Sequence, residues 1–306
     1  MQIIGERIHV ISPRVKAAFD SRDASFLQDL AMQQVKAGAN YIDLNIGPAK
    51  KTGLELMPWV VETVQAVTDT PLSLDTTNAA AMEAGLKVCK NRAMVNSASA
   101  QPERMEKMIP LAAEYNAELV ALALTEQGIP QDANGRAEVA MLLIDAAAQA
   151  GIGSDRLFLD PLVLPVGADQ AGATQTLEAI RIFKAIVEPA PKTVIGLSNV
   201  SNGSPNEIRG LINRVYLVMA MGAGLDAAIA DPNDKELMEF IRIVESRDTS
   251  TGVGNLLVAL YDSIAAMEEE FDPSPVDMSD PAQVDIFKTI QILQNKILYA
   301  HSYLKV

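Results

Sequence analysis

The sequence predicts a single-domain (β/α)8 barrel, also called a TIM barrel, with extra helices at its C-terminal end. Two observations support this fold class. Eight short apolar segments, typical of strands buried on both faces, alternate with segments of helical periodicity within residues 1–245. Polar residues stand at the same end of several of these strands. Strand–helix alternation predicts parallel, right-handed βαβ units, and eight such units fit a closed barrel better than an open sheet.

The predicted strands are short and end at polar or turn-forming residues. They are residues 3–7, 41–46, 72–75, 93–96, 119–124, 157–160, 193–197 and 227–230. Apolar residues at helical spacing predict the intervening helices 26–35, 79–88, 105–112, 139–150, 177–187, 207–221 and 235–244. Asn78 is a candidate N-cap for the second of these helices. Beyond the eighth unit we predict a helix at 256–271, a proline-containing loop and a final amphipathic helix at 286–304.

The composition excludes several classes of function. The chain has 306 residues, of which 49% are hydrophobic, and a formal net charge of −14, which argues against binding to nucleic acid phosphates. One cysteine, Cys89, excludes a disulfide framework, and with only two histidines we expect no bound metal. The N-terminus has no signal-peptide pattern, and the longest apolar run, residues 215–225, is too short to span a membrane. We therefore expect a cytoplasmic protein that contacts no membrane.

Polar side chains follow the predicted strands at the end where TIM barrels carry their sites. They are Asp43, Asn45, Asp75, Asn96, Asp160, Asn199 and Asp231. Taken one at a time, such residues also serve as helix caps, turn formers or strand stops. Asp231 is interpreted as a cap and left out of the predicted site. Together, amides and lone carboxylates at one end of the barrel predict a ligand rich in amide and amino hydrogen-bond donors, because these side chains accept such bonds. Such a ligand would be bound by its edge.

Six short motifs contain most of these polar residues. They are GERI near the N-terminus, DLNIGPA at 43–49, LSLDTTN at 72–78, KNRAMVNS at 90–97, LDPLVLPV at 159–166 and KTVIGLSNVS at 192–201. In this order they resemble the motifs of the pterin-binding methyltransferases. The chain is most similar to the methyltetrahydrofolate:corrinoid protein methyltransferase family. The resemblance runs from residue 1 to about residue 245 and returns in the last helix. Because six motifs occur in the same order, the resemblance is far more specific than a match to any one motif.

This resemblance implies a fold, a reaction and a set of site residues. The fold is a pterin-binding TIM barrel, usually a homodimer. The reaction moves a methyl group between N5 of tetrahydrofolate and the cobalt of a corrinoid (cobalamin) carried by a partner protein. By resemblance, Asp75, Asn96 and Asp160 bind the pterin ring, and Asn199 binds beside N5 as the catalytic residue. The favoured direction is from methylcorrinoid to tetrahydrofolate in a demethylase-type system, giving 5-methyltetrahydrofolate.

Departures from the family pattern leave more than one function open. Residues 247–285 are predicted to be an insertion atypical of the family, lying before the final helix. The segment after Asn199 is longer than in the nearest relatives, so Asn202 and Arg209 receive no role. One alternative is the reverse reaction, from methyltetrahydrofolate to a corrinoid iron–sulfur protein in acetyl-CoA synthesis. Less favoured are a dihydropteroate synthase, whose phosphate-binding motifs are not evident, and a folate-binding barrel without catalysis.

Overall fold

In the computed structural model, which describes residues 1–305, eight parallel strands close into one barrel in sequence order. The strands are β1 Gln2–His9, β2 Tyr41–Asn45, β3 Leu72–Asp75, β4 Met94–Ser99, β5 Glu118–Leu122, β6 Leu157–Asp160, β7 Lys192–Gly196 and β8 Ala227–Ala230. Each strand pairs with the next one in the chain, and β8 closes the barrel by pairing with β1. The predicted (β/α)8 fold is confirmed, with the bounds of β3, β6 and β8 as predicted.

Helices surround the barrel. They are α1 Pro13–Ser21, α2 Ala24–Lys36, α3 Gly53–Gln65, α4 Ala79–Leu86, α5 Pro102–Glu114, α6 Ala133–Gln149, α7 Gln170–Ala185, α8 Asn206–Gly222, α9 Lys235–Ser246, α10 Gly252–Ala265 and α11 Pro281–Leu293. The predicted cap Asn78 accepts the backbone N–H of Ala81 at 3.3 Å, which satisfies one of the free donors at the start of α4. Helix α1 was not predicted; it inserts between β1 and α2.

Alternation along the strands separates the barrel interior from the helix-facing side. Seven strands contribute one buried apolar residue each to a separate interior cluster, formed by Ile4, Tyr41, Met94, Val120, Phe158, Val194 and Ala227. The intervening residues, such as Ile42 and Leu157, pack with the helices in the large outer clusters. Residues two positions further along the strands, nearer their carboxyl ends, face the same interior. That next level holds Asp43, Asn96 and Asp160, of which the last two belong to the predicted site.

The second half of helix α8 is buried on all sides because it lies between the barrel and the two C-terminal helices. Its central residues 215–220 are all buried, and α8 contacts α10 and α11 as well as its neighbours α7 and α9. A helix that is apolar around its whole circumference is expected in such a position. This accounts for the longest apolar run in the sequence. Within residues 1–305, no helix combines the length and hydropathy needed to cross a lipid bilayer.

The end of the chain differs from the prediction. The final helix, expected at 286–304, is Pro281–Leu293: Asp280 caps its start, and Asn295 takes a left-handed conformation with φ of 56° just beyond its end. Ile297 and Leu298, which continue the apolar pattern, are 39% and 88% exposed. The helix expected at 256–271 is α10, and it ends earlier, before a left-handed residue at position 267. The assignment of 247–285 as a family-atypical insertion stays a prediction.

Candidate active site

A layer of polar side chains lies directly above the apolar interior cluster. We call it the polar layer, and it consists of Asp43, Asn45, Asp75, Asn96 and Asp160. Residues Asn45, Asp75 and Asn96 are paired in register across β2, β3 and β4, so their side chains lie at one level of the barrel. The structure therefore brings the three predicted pterin ligands, on β3, β4 and β6, to the carboxyl-terminal end of the barrel.

Hydrogen bonds tie the β2, β3 and β4 members of the polar layer together. Asp43 accepts the hydroxyl of Ser73 at 2.7 Å and the side-chain amide of Asn96 at 3.2 Å. Asn45 donates its amide to Asp75. These bonds orient Asn96 and Asp75 before any ligand is present, because each amide is held by a fixed carboxylate. Preorganisation of this kind lowers the ordering cost when a ligand binds.

Asp43 is a site residue that was not predicted to bind the pterin. Burial raises the pKa of its carboxyl well above the usual range, and the neighbouring Asp75 raises it further. The pKa of Asp75 is also raised, mainly by burial, although its bond from Asn45 and the nearby Arg104 oppose the shift. Two carboxyls this close do not both ionise readily. The signal was present in the motif DLN, where Asp43 and Asn45 share one face of a strand.

Asp160 occupies the opposite side of the polar layer. Only 4% of its surface is exposed, and its carboxylate accepts the backbone N–H of Leu162 at 2.7 Å. Burial raises its pKa to about 7, and the hydrogen bond from Leu162 and the charge of Arg136 oppose that rise. A buried carboxylate with few partners is well suited to accept N–H donors from a ligand, since each such charge-assisted bond is strong.

Arg136 supplies a positive charge near Asp160. Its side chain is fully buried on α6 and donates to the carbonyl of Pro130 at 3.0 Å and to the hydroxyl of Thr176 at 2.7 Å. Its other terminal nitrogen, Nη2, has no hydrogen-bond partner among the described residues. Burial lowers the pKa of Arg136, while Asp160 is among the carboxylates that oppose the change.

Asn199 lies in a different environment from the other predicted site residues. It ends a short 3-10 turn, Leu197–Asn199, after β7, and it is exposed to solvent. A Cβ atom on Gly196 would lie 3.0 Å from the Asn199 amide nitrogen, so the glycine leaves room for this side chain. No side-chain hydrogen bond holds Asn199 within the described part of the chain, which leaves its amide free to bind a ligand.

Asn199 lines a cleft of about 880 Å³ at the mouth of the barrel, between the ends of β1, β7 and β8 and helices α1 and α2. We call it the mouth cleft; its polar lining is Glu6, Arg7, His9, Ser12, Arg14, Asp29, Gln33, Ser198, Asn199, Asn202, Arg209 and Asp231. None of the three predicted pterin ligands lines it. The predicted site therefore has two parts: the buried polar layer and the open mouth cleft.

Asp231 was interpreted as a helix cap, and that interpretation is wrong. Helix α9 is capped by Asp234, whose carboxylate accepts the N–H groups of Glu236 and Leu237. Asp231 instead accepts the backbone N–H of Asn233 at 3.0 Å and forms an ion pair with Arg7 at 2.7 Å across the mouth cleft. It belongs to the wall of the site.

Comparison with known proteins shows which family the chain belongs to. Residues 16–231 match the model of the family described as pterin binding enzyme. The chain is also 31% identical over 240 residues to a methylcorrinoid:tetrahydrofolate methyltransferase of Eubacterium limosum, covering 78% of this chain and 88% of that protein. The chain belongs to the pterin-binding enzyme family. The prediction of a pterin-binding methyltransferase, made from six motifs, is confirmed at this level.

Two further comparisons place this pterin-binding enzyme among larger and more distant relatives. It is 32% identical over 238 residues to a methionine synthase of Mycobacterium leprae (strain TN), covering 74% of this chain but only 20% of that protein. Among solved structures, a dihydropteroate synthase of Xanthomonas albilineans superposes with a TM-score of 0.61 at 18% identity, covering 81% of this chain and 93% of that one. At such low identity the structural likeness supports the fold alone.

Proposed function

We propose that this enzyme transfers a methyl group from the cobalt of a protein-carried corrinoid to N5 of tetrahydrofolate. The observation that carries the proposal is the pairing of two environments at one mouth. A buried layer of amides and carboxylates suits the hydrogen-bonding edge of a pterin, and an adjoining open cleft presents Asn199 to a second reactant. A single-substrate binding protein has no need of the second environment.

The polar layer would bind and orient the pterin. Its edge presents N–H donors and a carbonyl, which match the acceptors of Asp75 and Asp160 and the mixed amide of Asn96. Ionised carboxylates bind such donors best, so binding draws Asp160 toward its charged form. Holding the ring by its edge fixes the direction in which N5 faces the mouth cleft. Orientation of this kind is a large part of the rate enhancement in a reaction between two bound partners.

Asn199 would act where charge develops. In the transfer, N5 forms a bond to the methyl carbon while the cobalt–carbon bond breaks and leaves both electrons on cobalt. N5 becomes positively charged and must then lose its proton. The amide oxygen of Asn199 can accept a hydrogen bond from N5–H⁺, which stabilises that charge more than it stabilises neutral folate. Comparable preorganised hydrogen bonds contribute about 3–4 kcal/mol in other enzymes.

The direction and the partner rest on one relative and on the sequence. The Eubacterium limosum protein is named for transfer from methylcorrinoid to tetrahydrofolate, and the chain matches it over most of both lengths. This supports a demethylase-type system in which a separate corrinoid protein delivers the methyl group. We further propose a homodimer, as the resemblance implies. Transfer in the opposite direction uses the same site, since both directions pass through one transition state.

Dihydropteroate synthase activity and pterin binding without catalysis have weaker support. The likeness to dihydropteroate synthases is at 18% identity and supports only the shared barrel. A folate-binding barrel without catalysis would bind pterin stoichiometrically and transfer no methyl group.

Two variants separate the proposed roles in binding and catalysis. Asp160→Ala is expected to weaken tetrahydrofolate binding, measured by titration calorimetry, because it removes a charged acceptor from the polar layer. Asn199→Ala is expected to slow methyl transfer roughly 100-fold or more while changing folate affinity little, since its bond matters most when N5 is charged. Unchanged affinity in Asp160→Ala would contradict the proposed pterin site. Equal losses of rate and affinity in Asn199→Ala would contradict its proposed role.

A further inference from the structure

Glu6 lies in the mouth cleft at a point where β1 departs from regular pairing. The register between β1 and β2 shifts between Gly5 and Ile8, so β1 has one extra residue there. The backbone N–H of Arg7 in this bulge is satisfied by the side chain of Gln34 at 3.0 Å. Bulges re-aim side chains and are common beside active sites. Here the bulge lets Glu6 and Arg7 both line the mouth cleft.

Glu6 is joined directly to the turn that carries Asn199. The Ser198 hydroxyl donates a hydrogen bond to the Glu6 carboxylate at 2.6 Å, and Ser198 immediately precedes Asn199 in the same 3-10 turn. Ser198 and Asn199 line the same cleft as Glu6. A carboxyl group is therefore held at the wall of the cleft, one residue removed from the amide proposed to lie at N5.

The surroundings of Glu6 raise the pKa of its carboxyl to near neutrality. Burial raises its pKa to about 7, with further increases from Asp231 and Asp43, while Ser198 and Arg209 oppose the shift. The remaining charged or titratable residues of the cleft are Arg7, His9, Arg14 and Asp29. Arg7 is paired with Asp231 at 2.7 Å. A carboxyl with such a pKa exchanges protons efficiently at physiological pH.

The proposed reaction requires a proton acceptor that the residues assigned so far do not supply. Asn199 does not titrate, and Asp75 and Asp160 lie outside the cleft and are assigned to the pterin edge. We propose that Glu6 is the proton acceptor for N5 and that Ser198 positions it. This inference rests on the proposed function. As N5 bonds to the methyl carbon and the cobalt–carbon electrons stay on cobalt, the N5 proton passes to the Glu6 carboxylate. In the reverse direction the Glu6 carboxylic acid returns it.

The test compares pH profiles of the single-turnover rate, with methylcobalamin as methyl donor and saturating tetrahydrofolate. Saturation keeps the titration of Asp160 out of the profile, because the bound enzyme already has its pterin ligands engaged. The wild-type rate is expected to rise with pH through about 7, where Glu6 becomes ionised. The reverse rate is expected to fall over the same range. Glu6→Gln should lose this dependence and be slower by roughly 100-fold above it.

Two further variants test whether Glu6 is the group whose ionisation sets the pH profile. Ser198→Ala removes a bond that lowers the pKa of Glu6, so the midpoint of the profile should move to higher pH. The titration of folate itself would not move with this change. His9→Gln, in the same cleft, should retain the wild-type midpoint. A Glu6→Gln profile that keeps its midpoint, or a His9→Gln profile that loses it, would overturn the proposal.

Folding and the proposed function are checked separately from this inference. Tetrahydrofolate affinity and thermal unfolding are measured for each variant. If Glu6→Gln does not fold, the displacement of the midpoint in Ser198→Ala decides the question, and an unmoved midpoint refutes the role of Glu6. If the wild-type enzyme transfers no methyl group at any pH, the proposed function fails. If the wild-type enzyme transfers the methyl group and the pH profile is the same in the Glu6 and Ser198 variants, only the assignment of Glu6 fails.

Discussion

Replacing Asp160 by asparagine should make the ligand-free enzyme more stable and a poorer binder of folate. The carboxyl is almost completely buried and accepts a hydrogen bond from the backbone N–H of Leu162 at 2.7 Å. Asparagine has nearly the same shape, and its side-chain oxygen can keep that bond. The substitution therefore removes the charge with little change in packing. It separates the cost of a buried charge in the folded state from its use in binding.

The magnitude follows from the pKa of Asp160, which burial raises from 3.8 to about 7. The folded state binds the proton more tightly than the unfolded state, so stability falls as pH rises from about 4 to about 7 and is constant above. At about 1.4 kcal/mol per factor of ten in acidity, ionisation costs at most about 4 kcal/mol at pH 8. An unpaired amide N–H in the variant costs about 1–3 kcal/mol. The expected net gain is about 1–3 kcal/mol at pH 8.

Urea unfolding at pH 4 and pH 8 measures this difference. Asp160→Asn should gain stability over wild type at pH 8 but not at pH 4, where Asp160 is already protonated when folded. The exposed Asp155→Asn, five residues earlier, makes the same charge change and should alter stability little at either pH. Tetrahydrofolate affinity should fall roughly 10–100-fold in Asp160→Asn, the loss of one charged hydrogen-bond partner. A variant no more stable than wild type at pH 8 would refute this prediction.

Three further outcomes are expected. Arg136→Met should raise the pKa of Asp160 further, because the positive charge of Arg136 opposes the rise that burial causes. The pH below which folate affinity falls to half, measured by titration calorimetry, should therefore move upward. Asp43→Ala removes the hydrogen-bond partner of the Asn96 amide and should weaken folate binding by about 1–2 kcal/mol. If the two residues act together, adding Asn96→Ala should weaken folate binding little further. Tyr303→Phe removes a buried hydrogen bond to Thr289, 2.8 Å long, and should lower the free energy of unfolding by about 1 kcal/mol, read from urea denaturation.

The fold and the residues proposed to bind the pterin were accessible from the sequence for a physical reason. Strands buried on both faces read as short apolar runs, so a polar residue at the end of one stands out, as at Asp75 and Asp160. The carboxyl ends of parallel strands share one mouth, so these residues could be grouped without knowing the structure. That rule places Asp75, Asn96 and Asp160 at one end of the barrel, whereas their assignment to a pterin came from the resemblance and their common level from the strand register.

Several features depended on information that periodicity does not carry. Glu6 lies in a bulge that reading β1 as a regular strand does not anticipate, and its partner Ser198 is distant in the chain. Asp231 precedes a helix, as a cap would, but Asp234 takes that role. The last helix stops at a left-handed Asn295 although the apolar pattern continues to Leu298. In each case a tertiary contact or a single backbone conformation overrides a local pattern.

The most direct test of the proposed reaction is a visible spectrum recorded under anaerobic conditions. Wild-type enzyme is mixed with tetrahydrofolate and methylcobalamin, with Asn199→Ala as the matched control. We predict loss of the methyl–cobalt band with an equal yield of 5-methyltetrahydrofolate, far more slowly in the variant. If the wild type binds tetrahydrofolate but neither this mixture nor methyltetrahydrofolate with reduced cobalamin transfers a methyl group, the proposed reaction is contradicted.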